Sequence, residues 1–178
     1  MTLSVPRHVA AGILRIFDPE MELLRRTLER VPERRLGWRP HPQARSIDEL
    51  AVHLARIPGW VESMLVQDGY DLAGGAGAGH GKRRDEPATK EGMLALFDAN
   101  RVRARAAIAA RSDAELNESW RLERSSEIIL KLTRAEALSI YVLDHLIHHR
   151  GQLTVYLRLL DVPVPALYGS SSDEFSEG

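Results

Sequence analysis

Three times in this chain a serine or threonine stands three residues ahead of a glutamate, at or near the head of an apolar run: Ser46 and Glu49, Ser112 and Glu115, Thr133 and Glu136. The pattern answers a specific need. The first N–H groups of a helix have no carbonyl partner within it. A hydroxyl at the N-cap accepts from one of them, and the glutamate reaches back to the N-cap N–H. Each pair therefore marks a helix start, and three such starts commit much of the chain to helix.

Apolar spacing fills in the rest. A first helix is expected from about Pro6 to Arg30, on Val9, Ile13, Ile16, Phe17, Leu23, Leu24 and Leu28. Pro19 should kink or split it, and Pro32 with Gly37-Trp38-Arg39-Pro40 ends it. The second starts at Ser46 and puts Leu50, His53, Ile57, Trp60 and Met64 on one face, with Pro58 as a bend. Ala73 to Gly81 is too rich in glycine for regular structure and reads as a mobile loop. The third runs from about Thr89 to Arg111, on Met93, Leu94, Phe97, Val102 and Ile108. Ser112 opens a short turn, and Trp120 to Leu132 reads as an irregular connection. The fourth opens at Thr133 and continues to about Leu160. Four long helices with connections of mixed length predict an all-α four-helix bundle. One domain over 1–168 and a polar tail over 169–178 complete the expectation.

Composition agrees and narrows the function. The chain has 178 residues, 44% of them apolar and only 6% aromatic, which suits aliphatic helix packing. A net charge of −1 gives no general attraction to nucleic acid. The local basic runs, Lys82-Arg83-Arg84 and Arg101 to Arg105, read as solvated surface. With no cysteine there is no disulfide, no thiolate metal ligand and no cysteine nucleophile. No apolar run is long enough for a membrane span. The apolar stretch near the N-terminus is interrupted by Arg15 and does not read as a signal peptide. The expected location is cytoplasmic.

The chemistry is concentrated in histidine. Of seven histidines, His145, His148 and His149 fall within five residues. Positions four apart on a helix lie one turn apart on one side, so His145 and His149 can aim at one metal ion. His148, at three residues, is the rival for the second place, but it falls to the edge of the stripe Leu138, Tyr141, His145, His149, Gln152, Tyr156. That stripe is expected to face the interior, as is His53 among Leu50, Ile57 and Trp60. Trp60, Tyr141, His148, Gln152 and Tyr156 are the candidates for lining the site or bracing its ligands. Imidazole suits several divalent metals (zinc, nickel, iron or manganese among them), so ligand type does not choose. The absence of Glu after His145 excludes the H-E-x-x-H arrangement of zinc proteases.

Asp144-His145-Leu146-Ile147-His148-His149-Arg150-Gly151-Gln152-Leu153, followed by Tyr156-Leu157-Arg158 and Tyr168-Gly169-Ser170, resembles the last-helix motif of the DinB-like (DinB/YfiT-type) superfamily. Leu36-Gly37-Trp38-Arg39-Pro40, Ser46 to Leu50 and His53-Leu54-Ala55 resemble that family's entry into its second helix. The resemblance implies an up-down-down-up bundle, often a homodimer. It also implies a divalent metal on His53, His145 and His149, with coordination positions left open. Beyond those ligands it assigns no catalytic residue. It implies either a metal-dependent transferase or hydrolase that brings a low-molecular-weight thiol to a small electrophile, or a non-catalytic, metal-stabilised module for stress response or partner binding. Gly151 is expected to admit a neighbouring backbone, Arg150 to brace the bundle, and Asp144 to face away from the stripe.

Overall fold

Helix α1, His8–Glu29, buries Ala10, Ile13, Phe17, Met21, Leu24 and Leu28 at helical spacing. In this computed structural model of the chain, the described residues are 8–74, 87 and 89–174. The expected helix start at Pro6, most of the glycine-rich loop and the basic run at 82–84 lie outside them. Pro19 lies inside α1 without splitting it. The N-terminal amides of α1 are held from across the fold: Asp113 accepts from the N–H groups of His8 and Val9 at 3.1 and 2.9 Å. A carboxylate at that end also faces the positive pole of the helix.

All three expected capping boxes form. Ser46 opens α2, Ile47–Arg56, Ser112 opens the short α5, Asp113–Leu116, and Thr133 opens α6, Arg134–Leu138. The second helix is interrupted where Pro58 predicted a bend. A 3₁₀ turn, Ile57–Gly59, joins α2 to α3, Trp60–Val66. Asn100 on α4, Lys90–Ala109, spans this break and donates to the Ala55 carbonyl at 2.8 Å. The fourth helical segment is also not uniform. A π-helical turn, Ser139–Asp144, stands between α6 and α7, His145–Leu159. Helix α4 packs against α1, α2 and α3, and α7 packs against α1 and α2. Their shared core includes Leu50, Leu54, Phe97, Ile108, Leu146, Leu153 and Leu157, all essentially without solvent contact. Each such side chain contributes roughly 1.5–3 kcal/mol.

Two expectations are corrected. The chain is mostly helical but not all-α, and Trp120 to Leu132 is not an irregular connection. Strands β2, Ser119–Arg124, and β3, Glu127–Thr133, form an antiparallel hairpin, and β1, Gly69–Asp71, pairs parallel to β2. Ser125 and Ser126, with φ of 50° and 70°, make the two-residue turn. Two positive φ values match the right-handed twist of the strands. The pairing slips between Leu122↔Leu130 and Glu123↔Ile128, leaving Ile129 as the extra residue of a bulge. Gly69 is required by contact: a Cβ there would sit 2.4 Å from the Arg121 carbonyl oxygen. Trp120 anchors the sheet in the core. The buried Arg134 donates to the carbonyls of Met64 and Gln67 at 2.9 and 2.7 Å, closing the end of α3.

Helix α7 brings a further correction. Its fully buried positions are Leu146, Arg150, Leu153 and Leu157. The expected interior stripe therefore lies beside the buried one, with His145, His149 and Tyr156 half-buried and Gln152 exposed. Arg150 braces the bundle as expected, pairing with Glu20 of α1 at 2.7 Å. Both also meet the Tyr168 hydroxyl, at 2.6 Å from Arg150 and at 2.8 and 2.9 Å from the Glu20 oxygens. Asp173 and Glu174 tie the following segment to Arg158 and Arg26. Gly151 does not serve a close approach, since a Cβ there would meet nothing within 4 Å.

Two substitutions test this account by urea unfolding. Gly151→Ala removes backbone freedom at an unstrained helical position and is expected to stabilise by about 0.5–1 kcal/mol; destabilisation would place a neighbour at that position. Asn100→Ala strands the Ala55 carbonyl in the core and is expected to cost about 1–3 kcal/mol. An unchanged midpoint for the second variant would show that the clamp across the 3₁₀ turn carries no stability.

Candidate metal centre

Helix α2 presents His53 seven residues, about two turns, beyond its N-cap Ser46. The neighbouring Val52 and Leu54 are buried, which holds the helix so that His53 is half-exposed at the edge of the core. The 3₁₀ turn then delivers Trp60 to the same place. The Trp60 ring lies 5.6 Å from that of His53 and 5.5 Å from that of His145. It forms an apolar wall against two of the three imidazoles.

On the facing helix the π turn ends at Asp144, so His145 is the first residue of regular α7. His149 follows one turn later. The His53 and His145 Nε2 atoms stand 2.9 Å apart. Ring centroids are 5.2 Å apart for His53 and His145, 4.6 Å for His53 and His149, and 4.5 Å for His145 and His149. The planes are steeply inclined, at 70°, 86° and 78°. One ring nitrogen from each of the three histidines lies within 4.8 Å of the others.

Gln152 explains why His149 joins this group. Its amide oxygen lies 2.7 Å from His149 Nδ1, and its amide nitrogen lies 3.2 Å from His148 Nε2. If His149 Nδ1–H donates to the amide oxygen, the proton stays on Nδ1 and Nε2 keeps its lone pair. His148 is exposed and engages the amide from outside, so it stands at the rim and not in the trio.

The electrostatics suit neutral imidazoles. Burial pushes the His53 pKa down to about 3, aided by the charges of Arg45, the other two histidines and Arg56. Burial, His149, His148 and Arg45 push His145 down to about 4. His149 is lowered by burial while its bond to Gln152 opposes the shift. At neutral pH three lone-pair donors face one another. One N–H···N bond can join two of them, but it leaves the third unmatched. A single cation could satisfy all three. Tetrahedral zinc sites hold nitrogens about 2.0–2.1 Å from the metal, so about 3.3 Å from each other. The 2.9 Å between two of the nitrogens, with all three inside 4.8 Å of one another, is of that scale.

The remaining expected residues are placed as follows. Tyr141 lies in the π turn with its ring 5.5 Å from that of Trp120, on the side of the sheet. Tyr156 lies two turns beyond His149 and meets the edge of Trp38 at 5.6 Å. Arg45 escaped notice in the sequence. Its one signal was position, immediately before the N-cap of the helix that carries His53.

The family model for the DinB family matches residues 8–177. The chain belongs to the DinB family. A crystal structure of a DinB-like protein from Bacillus cereus ATCC 10987 superposes with a TM-score of 0.67 at 19% identity, covering 89% of this chain and 97% of that one. A DinB-like protein from Bacillus subtilis gives a TM-score of 0.64 at 18% identity, covering 89% and 99%. These likenesses establish the DinB-like fold. No curated protein matches the chain. Among the described residues, no helix is long and apolar enough to cross a membrane.

Two measurements probe the histidines of this DinB-family chain. Elemental analysis of His53→Ala, His145→Ala and His149→Ala is expected to show loss of a metal that the parent and His148→Ala retain. Equal metal in all of them would refute the site. The second concerns the metal-free protein. Unfolded imidazoles protonate near pH 6.5, but His53 and His145 resist until about 3 and about 4 when folded. In that window the unfolded chain binds more protons. Stability is therefore complete above about pH 6.5 and is lost as pH falls toward the folded values. The urea midpoint of the metal-free chain should drop steadily from pH 7 to pH 4; a flat profile would contradict the buried neutral trio.

Proposed function

We propose that this chain binds one divalent metal on His53, His145 and His149 and uses it to transfer a low-molecular-weight thiol to a small electrophile. The observation that carries the reading is the convergence of three ring nitrogens on one half-open point, in a chain without cysteine. Three protein ligands match the open arrangement of catalytic metal sites. The donor set of neutral imidazoles accepts zinc, nickel, iron or manganese. A divalent cation held there supplies a Lewis acid that favours the thiolate form of a bound thiol. The chain's own residues do the rest. Gln152 holds His149 in its donor tautomer, Trp60 shields one side from water, and the rim at His148 stays exposed for entry. The up-down-down-up order of the helices and a homodimer belong to the same proposal.

A second reading is favoured by one observation. Among the described residues, no carboxylate joins the three histidines in their cluster. A cluster without a carboxylate suits a metal-stabilised module that binds a partner without catalysis. The two readings separate in one assay. Metal-loaded protein is mixed with bacillithiol, mycothiol or glutathione and a chromogenic electrophile. The transferase reading expects conjugation with at least one thiol, abolished by chelation and by His149→Ala. No metal-dependent turnover with any of the three would overturn it in favour of the module.

A further inference from the structure

We propose that Arg45 is the second attachment point for the ligand of the metal centre, and that this ligand carries a carboxylate beside the group that meets the metal. The proposal rests on the metal-thiol reading above and adds to it a substrate class.

Placement comes first. Residues 36–46 form a tight loop that the first turn of α2 closes: the Ile47 N–H donates to the Trp38 carbonyl at 2.8 Å and the Asp48 N–H to the Leu36 carbonyl at 3.1 Å. Arg39 donates across the loop to the Ala44 carbonyl at 3.3 Å. The loop is set against α7 by the edge contact of Trp38 with Tyr156. Arg45 therefore stands between two fixed points, the N-cap Ser46 and a loop seated on the helix that carries His145 and His149. Its neighbour, the N-cap Ser46, lies seven residues from His53, about 10 Å along α2, and an extended arginine side chain spans more than half of that. Its charge is felt at His53, His145, His149 and Tyr156, groups on both helices.

Charge balance comes second. Among the described residues, no hydrogen bond or ion pair engages Arg45, although it is half-buried. Its neighbour Arg39 differs, with Glu49 at 3.5 Å. Glu49 is itself committed to the Ser46 N–H at 2.7 Å. Three neutral imidazoles would leave a bound dication with its full charge, and Arg45 adds another. A half-buried cation without a counter-ion is costly and selects an anionic partner. The planar guanidinium fork fits a carboxylate in two parallel hydrogen bonds.

The test uses the full chain loaded with cobalt(II). Because the chain has no cysteine, a sulfur-to-cobalt charge-transfer band can come only from added thiol. Mercaptosuccinate and the neutral 2-mercaptoethanol are titrated into the parent, Arg45→Gln and Arg45→Lys, with cobalt content measured for each. The parent is expected to prefer mercaptosuccinate. Arg45→Gln should weaken mercaptosuccinate about tenfold, the scale of one charge-assisted pair, and leave 2-mercaptoethanol within about twofold. Arg45→Lys should fall between. Equal losses for both thiols, or no loss for either, would overturn the role of Arg45 while the thiol reading stands. Absence of the sulfur band with both thiols on cobalt-loaded parent would overturn the thiol reading and this proposal together.

Discussion

The buried pair of Arg150 and Glu20 sets how α7 is turned against α1, and the geometry of the histidines follows from that turn. Arg150 is the neighbour of His149 in sequence and is 1% exposed. Its guanidinium reaches Glu20 and the Tyr168 hydroxyl, so one side of α7 is bolted to α1 and to the segment that follows α7. Replacing such a pair by apolar residues is often neutral in stability, whereas removing one partner costs about 3–5 kcal/mol. Its value here is directional. Leu146, Leu153 and Leu157 lie on the same buried side of α7 as Arg150, and the ion pair pins that side to α1. With that side pinned, His145 and His149 come to the edge of the core facing α2, half-covered and still reachable.

Two departures from regular helix bracket the centre. The 3₁₀ turn at Ile57–Gly59 follows His53 and swings Trp60 against the imidazoles. The π turn at Ser139–Asp144 precedes His145 and changes the phase between the part of the segment that packs beside the sheet and the part that carries His145 and His149. An uninterrupted helix would tie the orientation of Leu138 to that of His149. The wider turn releases that constraint. Asn100 completes the arrangement from α4, donating to the Ala55 carbonyl just ahead of the 3₁₀ turn.

Much of this was legible in residue order because it is local. The three capping boxes are satisfied within four residues each, and all three form. The i, i+4 spacing of His145 and His149 is a property of one helix. What escaped was set by distant contacts. The hairpin turns on Ser125-Ser126 and not on the usual Asn-Gly. Its second strand has Ile128, Ile129 and Leu130 in a row, so no alternation betrays it, and the bulge at Ile129 breaks the period further. The π turn lies in an apolar run with no proline or glycine to mark it. Gly151 suggested a close approach, yet it faces open space, because the buried side of α7 is one residue away at Arg150. Arg45 has no motif at all. Only the fold brings its charge to both helices.

In the proposed site, three imidazoles from two helices hold one metal ion. X-ray absorption at the metal edge of the purified protein tests it most directly. One metal per chain is expected with three imidazole nitrogens, seen through their outer-ring scattering, at about 2.0–2.1 Å if the metal is zinc, together with light-atom ligands from solvent. A first shell with fewer than three imidazoles, or metal well below one per chain after reconstitution, would contradict it.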